Sequence, residues 1–126
     1  MNELIDLIKS ISHENRLRIL NLLQEKQLCV CEIKSIMNLK QSNISRHLNR
    51  LKQTDLVQTK RQAQWIYYEL NEGMFEKYNF LEKIVEEELE QLEICQSDLR
   101  RLGKYNESNI DCSDLSESDL FKGQGK

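Results

Sequence analysis

The chain has 126 residues, 39% hydrophobic and 31% charged, with four Cys, no Pro and a formal net charge of −3. This length and mix set the expectation of one soluble domain, whose small core leaves any long apolar-striped helix in need of a partner. Glu3 and Asp6 interrupt the apolar pattern at the start of the chain, which excludes a signal peptide or membrane span there and sets a cytoplasmic expectation. In that compartment a Cys-x-Cys pair reads as a soft-ion ligand or redox site rather than a disulfide.

Leu4, Ile5, Ile8 and Ile11 recur at helical spacing, and Ser12 offers an N-cap for a second helix marked by Leu17, Leu20 and Leu23. Leu28 to Met37 predicts a short third helix through Ile33, Ile36 and Met37. After a polar break at Asn38 to Gln41, a fourth helix spans roughly 41 to 54. Ile44, Leu48 and Leu51 define its buried face, so Ser42, Arg46, Asn49 and Gln53 point outward, flanked by Ser45 and Arg50. Two β-rich runs follow, Leu56 to Arg61 and Trp65 to Leu70. They predict a hairpin around Gln62, Ala63 and Gln64, where neither Gly nor Asn is present to take a positive φ. From about Met74 to Leu102 the near-heptad series Tyr78, Leu81, Val85, Leu89, Leu92, Cys95, Leu99 and Leu102 predicts one long helix, with Gly103 as its stop. Residues 104 to 126 are acidic and Ser-rich and are expected to be a disordered tail, which leaves 1 to 103 as the domain.

The net negative charge conceals a partition. Residues 40 to 61 hold Lys40, Arg46, Arg50, Lys52, Lys60 and Arg61 against one acid, Asp55, whereas residues 62 to 103 are strongly acidic. A compact basic patch supplies the counterion release that drives DNA affinity. Two short helices, a polar break, a helix with a basic outer face and a hairpin tipped by Lys60 and Arg61 compose a winged helix-turn-helix, mainly α with a small β-hairpin. This reading assigns Gln41, Ser42, Asn43, Ser45, Arg46 and Arg50 to phosphates or base edges, and Lys60 and Arg61 to the flanking backbone or minor groove. His47 lies at the edge of the buried face, either as a hydrogen-bonded structural residue or as a phosphate contact.

Four blocks, Ser12-His-Glu-Asn-Arg-Leu-Arg-Ile-Leu20, Leu28-Cys-Val-Cys-Glu-Ile33, Gln41-Ser-Asn-Ile-Ser-Arg-His-Leu48 and Trp65-Ile-Tyr-Tyr-Glu-Leu70, stand in the order found in the ArsR/SmtB winged-helix repressors. Across roughly residues 3 to 95 the chain resembles the arsenic-responsive branch of that family. The resemblance implies a homodimeric repressor, joined through its first and last helices, that leaves its operator DNA when a thiophilic ion binds.

Cys29 and Cys31 are the candidate effector ligands. Soft thiolates select ions such as Cu(I), Cd(II), Pb(II) or trivalent arsenic, and a helix N-terminus favours the thiolate. The alternative is that one of them is a small core hydrophobe. Residues two apart on a regular helix diverge by about 200°, so joint ligation is expected to unwind the start of the third helix and displace the fourth. The third Cys of the arsenic pattern is replaced by Lys34, which leaves Cys95, Cys112 or an external thiol as third ligand. Cys95 also fits the apolar stripe between Leu92 and Leu99. Zinc-sensing relatives use His and Asp on the last helix, whereas the only His here are His13 and His47; cadmium and lead sensors add an N-terminal Cys, and none precedes Cys29. As(III) or Sb(III) is the effector that remains. Two other readings stand beside this one: a thiol redox switch on the same scaffold, and a protein-interaction module acting through the acidic last helix and tail. No organic cofactor is expected, and no nucleophile and base or paired carboxylates mark an enzyme.

Overall fold

Apolar spacing and capping divide the first half of the chain into four helices. In the computed structural model, which describes residues 2–108, these are α1 (Asn2–Ile11), α2 (Glu14–Glu25), α3 (Val30–Met37) and α4 (Gln41–Gln53). The cap of α2 is His13 rather than Ser12. His13 is extended (φ −154°, ψ 128°), and its Nδ1 accepts the Asn15 backbone N–H at 3.1 Å, satisfying a first-turn donor that has no partner within the helix. The Ser12 hydroxyl instead turns back to donate to the Lys9 carbonyl. Asn38 ends α3 in the left-handed region (φ 57°, ψ 49°), which Asn tolerates better than most residues, and the chain then turns into α4.

Leu28–Cys29 is a strand, β1, and not the first turn of a helix. It joins β2 (Val57–Gln62) and β3 (Trp65–Leu70) in a three-stranded antiparallel sheet of order β1-β3-β2. The register pairs Leu28 with Tyr68 and Cys29 with Tyr67 on one side, and Lys60 with Tyr67 on the other. The hairpin is tighter than expected, because Gln62 pairs with Trp65 and only Ala63 and Gln64 remain as loop. Ala63 itself takes the positive φ (56°) that the turn requires.

The predicted single long helix is broken. The structure has α5 (Glu72–Lys77), α6 (Asn79–Lys83), a π-helical turn at Ile84–Glu88, a 3₁₀ turn at Leu89–Gln91 and α7 (Glu93–Ser108). Leu92 is extended (ψ 127°). Glu82 near the end of α6, Glu86 and Glu90 stand at i, i+4 spacing leading through the irregular stretch, and like charges at that spacing oppose a regular helix. The apolar stripe is otherwise as predicted: Leu81, Val85, Leu89, Cys95 and Leu102 are buried, whereas Leu92 is exposed. Gly103 does not stop α7, which continues to Ser108 and buries Tyr105. The expected tail therefore begins with helical residues 104–108, and the remainder, Cys112 included, lies outside the described residues.

The core joins Leu7, Ile19, Leu20 and Leu22 to Ile33, Ile36, Ile44, Leu48, Leu51 and Leu56, and to Leu81, Leu89 and Leu102 from the C-terminal segment. Each such side chain contributes about 1.5–3 kcal/mol by leaving water. A buried ion pair crosses this core. Arg18 Nε and Nη2 donate to Asp98 Oδ2 and Oδ1 at 2.8 and 2.9 Å, and Nη2 also reaches the Met37 carbonyl at 3.4 Å. One guanidinium thus fixes α2, α3 and α7 relative to one another. No helix of the described residues is long and apolar enough to cross a membrane.

Candidate nucleic-acid interface and thiol pair

Helix α4 presents its polar face as expected. Ile44, Leu48 and Leu51 are fully buried, while Ser42, Ser45, Arg46, Asn49, Arg50 and Gln53 line a groove of about 560 Å³. The groove includes one residue that periodicity did not single out, Arg16 from α2. Gln41 is exposed on the first turn of α4, and Asn43 is half-buried. Lys60 and Arg61 are exposed on β2, away from the groove lining; Lys60 makes a loose ion pair with Glu69 at 3.6 Å.

His47 does not face the groove. It is 2% exposed, its ring lies 4.4 Å from that of His13, and its Nδ1 accepts from Arg16 Nε at 3.2 Å. Burial, followed by the neighbouring His13, Arg16 and Arg46, lowers its pKa to about 4. Of the two alternatives for His47, the geometry fits the hydrogen-bonded structural residue.

The thiol pair is placed differently from expectation as well. Cys29 is the extended N-cap of α3 (φ −93°, ψ 171°) rather than a helical residue, and its Sγ lies 3.4 Å from that of Cys31. The 200° divergence of a regular helix does not apply, so the sulfurs converge without any unwinding. Their separation is shorter than two metal–sulfur bonds of about 2.3 Å laid end to end, so the pair fits one thiophilic centre. Cys31 is disulfide-bonded in this structure, and joint ligation requires its reduction.

A capping box holds the site. The Cys29 N–H donates to Glu32 Oε1 at 2.9 Å, and the Glu32 backbone N–H reaches the Cys29 sulfur. Tyr105 Oη on α7 donates to Glu32 Oε2. Burial in the first place, with the Glu32 charge adding to it, pushes the Cys29 thiol up to about 11 despite the stabilising backbone N–H. The expected thiolate-favouring effect of the helix start is present but outweighed. Cys95 is buried beneath α2, where its carbonyl accepts from Asn21 Nδ2 at 3.2 Å, and burial likewise raises its thiol to about 11. Among the described residues no group of three or more His, Cys, Asp or Glu side chains is placed to hold a metal ion, so Cys95 is not grouped with Cys29 and Cys31 in this structure.

Comparison with known proteins agrees with this architecture. The family described as "Bacterial regulatory protein, arsR family" matches residues 13–59. The arsenic resistance transcriptional regulator ArsR2 of Pseudomonas putida KT2440 is 43% identical over 67 residues, 52% of this chain and 58% of that protein. The chain thus spans little more than half the length of that relative. The transcriptional repressor SdpR of Bacillus subtilis 168 is 38% identical over 66 residues, 52% of this chain and 73% of SdpR. The solved structure of reduced HlyU from Vibrio cholerae superimposes with a TM-score of 0.53 at 34% identity, covering 64% of this chain and 88% of HlyU. With the winged helix-turn-helix in place and these relatives aligned along it, the chain belongs to the arsR family of bacterial regulatory proteins.

Proposed function

We propose that the protein is a metalloid-responsive transcriptional repressor that binds operator DNA as a homodimer and is released when As(III) or Sb(III) binds Cys29 and Cys31. The observation that carries this reading is the 3.4 Å sulfur pair at the start of α3, on a scaffold whose next helix exposes Arg46 and lines a basic groove. The ArsR2 name supplies the metalloid class and the SdpR name the repressor class.

The raised Cys29 thiol favours a metalloid over a divalent cation. Neutral arsenous acid condenses with neutral thiols: As(OH)₃ + 2 RSH gives (RS)₂AsOH + 2 H₂O, with each thiol proton leaving in water and no net proton released. A divalent cation must instead expel the protons into solution, which a thiol at about 11 resists at neutral pH. Cys112 or an external thiol is left as the third ligand. Leu4, Ile5 and Ile8 on α1 are 38–43% exposed, and Leu92 just before α7 and Ile94 in its first turn are exposed too; these faces suit a second copy joined through the first and last helices.

The test is the anisotropy of a labelled duplex selected for binding by the reduced protein. Arsenite is expected to weaken the parent complex about 100-fold, a coupling of about 3 kcal/mol, and to do so less than threefold in Cys29→Ser or Cys31→Ser. An unchanged parent complex overturns the proposal. A second reading, a redox switch, draws support from the two sulfurs lying 3.4 Å apart. It predicts peroxide-driven release that a dithiol reverses, with no arsenite response in the reduced protein.

A further inference from the structure

Three ion pairs join described residues: Arg18 with Asp98, Lys60 with Glu69 and Lys77 with Glu3. Arg16, Arg46 and Arg50 belong to none of them, yet all three line the α4 groove together with Ser42, Ser45 and Asn49. Arg16 comes from α2, 30 residues upstream of Arg46, and is anchored on its inner side. Its Nε donates to His47 Nδ1 and its Nη1 to the Ser10 carbonyl, each at 3.2 Å. Those two bonds engage two of the five guanidinium N–H donors and leave the others for a ligand. Burial and the positive charges of Arg50 and Arg46 all disfavour the charged form of Arg16, so an anion placed between these groups relieves repulsion as well as accepting hydrogen bonds. A guanidinium fork matches phosphate oxygens bidentately.

We propose that Arg16, Arg46 and Arg50 form a seat for one backbone phosphate of duplex DNA, with Arg16 aimed by its bond to His47. This rests on the DNA-binding reading above and adds a residue outside the reading helix to it. Because a phosphate carries no sequence information, the seat fixes the register of α4 on the duplex and leaves base choice to the remaining polar side chains. His47 acts through Arg16 as a positioning residue, and it accepts from Arg16 only while Nδ1 is unprotonated, the state that its buried surroundings favour.

The probe is a 30-base-pair mixed-sequence duplex, with affinity for the full reduced chain measured across a salt series. Arg16→Gln is expected to lower the slope of log K against log salt by about 0.9 per chain; Arg16→Lys, which keeps the charge, retains most of it. Arg100→Gln, the same charge change on the exposed part of α7, serves as the control. His47→Leu is expected to weaken binding in the parent background but to have no further effect in Arg16→Gln, with thermal melts confirming that each variant is folded at the assay temperature. An Arg16→Gln slope equal to that of Arg100→Gln overturns the seat, and additive effects of the two substitutions overturn the role of His47. Inorganic phosphate is expected to compete no better than chloride at matched ionic strength; stronger competition reassigns the groove to a free anion and overturns the duplex assignment. If the parent itself fails to bind the duplex, the DNA-binding reading falls, whereas binding that is indifferent to Arg16 sinks this inference alone.

Discussion

His47 separates the core from the α4 groove, and its pH response is measurable. A base whose folded pKa (about 4) lies below its usual 6.5 leaves the unfolded chain holding more protons between those values. Stability contributed by neutral His47 is therefore complete above pH 6.5 and lost as pH falls towards 4, by up to about 3 kcal/mol. Chemical denaturation of the parent and of His47→Gln from pH 7 to 4 is expected to show a flatter profile for the variant; parallel profiles would refute the assignment. The core residues Ile44, Leu48 and Leu51, and the outward Arg46, were legible in the sequence because helical period alone fixes them. Arg16 was not. It reaches α4 only through packing of α2 against it, and no local pattern records that approach. The extended backbone of Cys29 is hidden from local sequence for a related reason: it comes from pairing with Tyr67, 38 residues further along the chain.

At the level of elements, α7 carries both Asp98, which clamps Arg18, and Tyr105, which clamps Glu32. The second clamp links α7 directly to the capping box behind the thiol pair. Tyr105→Phe keeps the ring and removes the donor to a buried carboxylate, a loss of about 1–3 kcal/mol. The variant is expected to melt earlier, to bind arsenite with unchanged stoichiometry, and to retain more DNA when arsenite is bound. Arsenite release equal to the parent's would show that Glu32 and Tyr105 take no part in the coupling. The apolar stripe of this region was readable from spacing. Its breaks are not legible from that spacing, because apolar periodicity ignores the repulsion among Glu82, Glu86 and Glu90 at i, i+4 spacing. Gly103 has the sequence of a stop, yet α7 continues past it to Ser108 and Tyr105 bonds Glu32 of the thiol site.

Across the whole molecule the thiol pair occupies a junction. Strand β1 places Cys29 beside Tyr67, which pairs on its other side with Lys60 of the wing, while Glu32 ties the same site to α7. A ligand drawn onto the two sulfurs thus bears on the wing and on α7 without any unwinding of α3. Whether one metalloid atom sits on Cys29 and Cys31 is tested by a near-ultraviolet titration of the reduced protein with arsenite, reading arsenic–sulfur absorbance. Joint ligation predicts saturation at about one arsenic per chain, loss of the signal in both Cys29→Ser and Cys31→Ser, and its survival in Cys95→Ser. A signal that persists in the first two variants, or that Cys95→Ser alone abolishes, would contradict it.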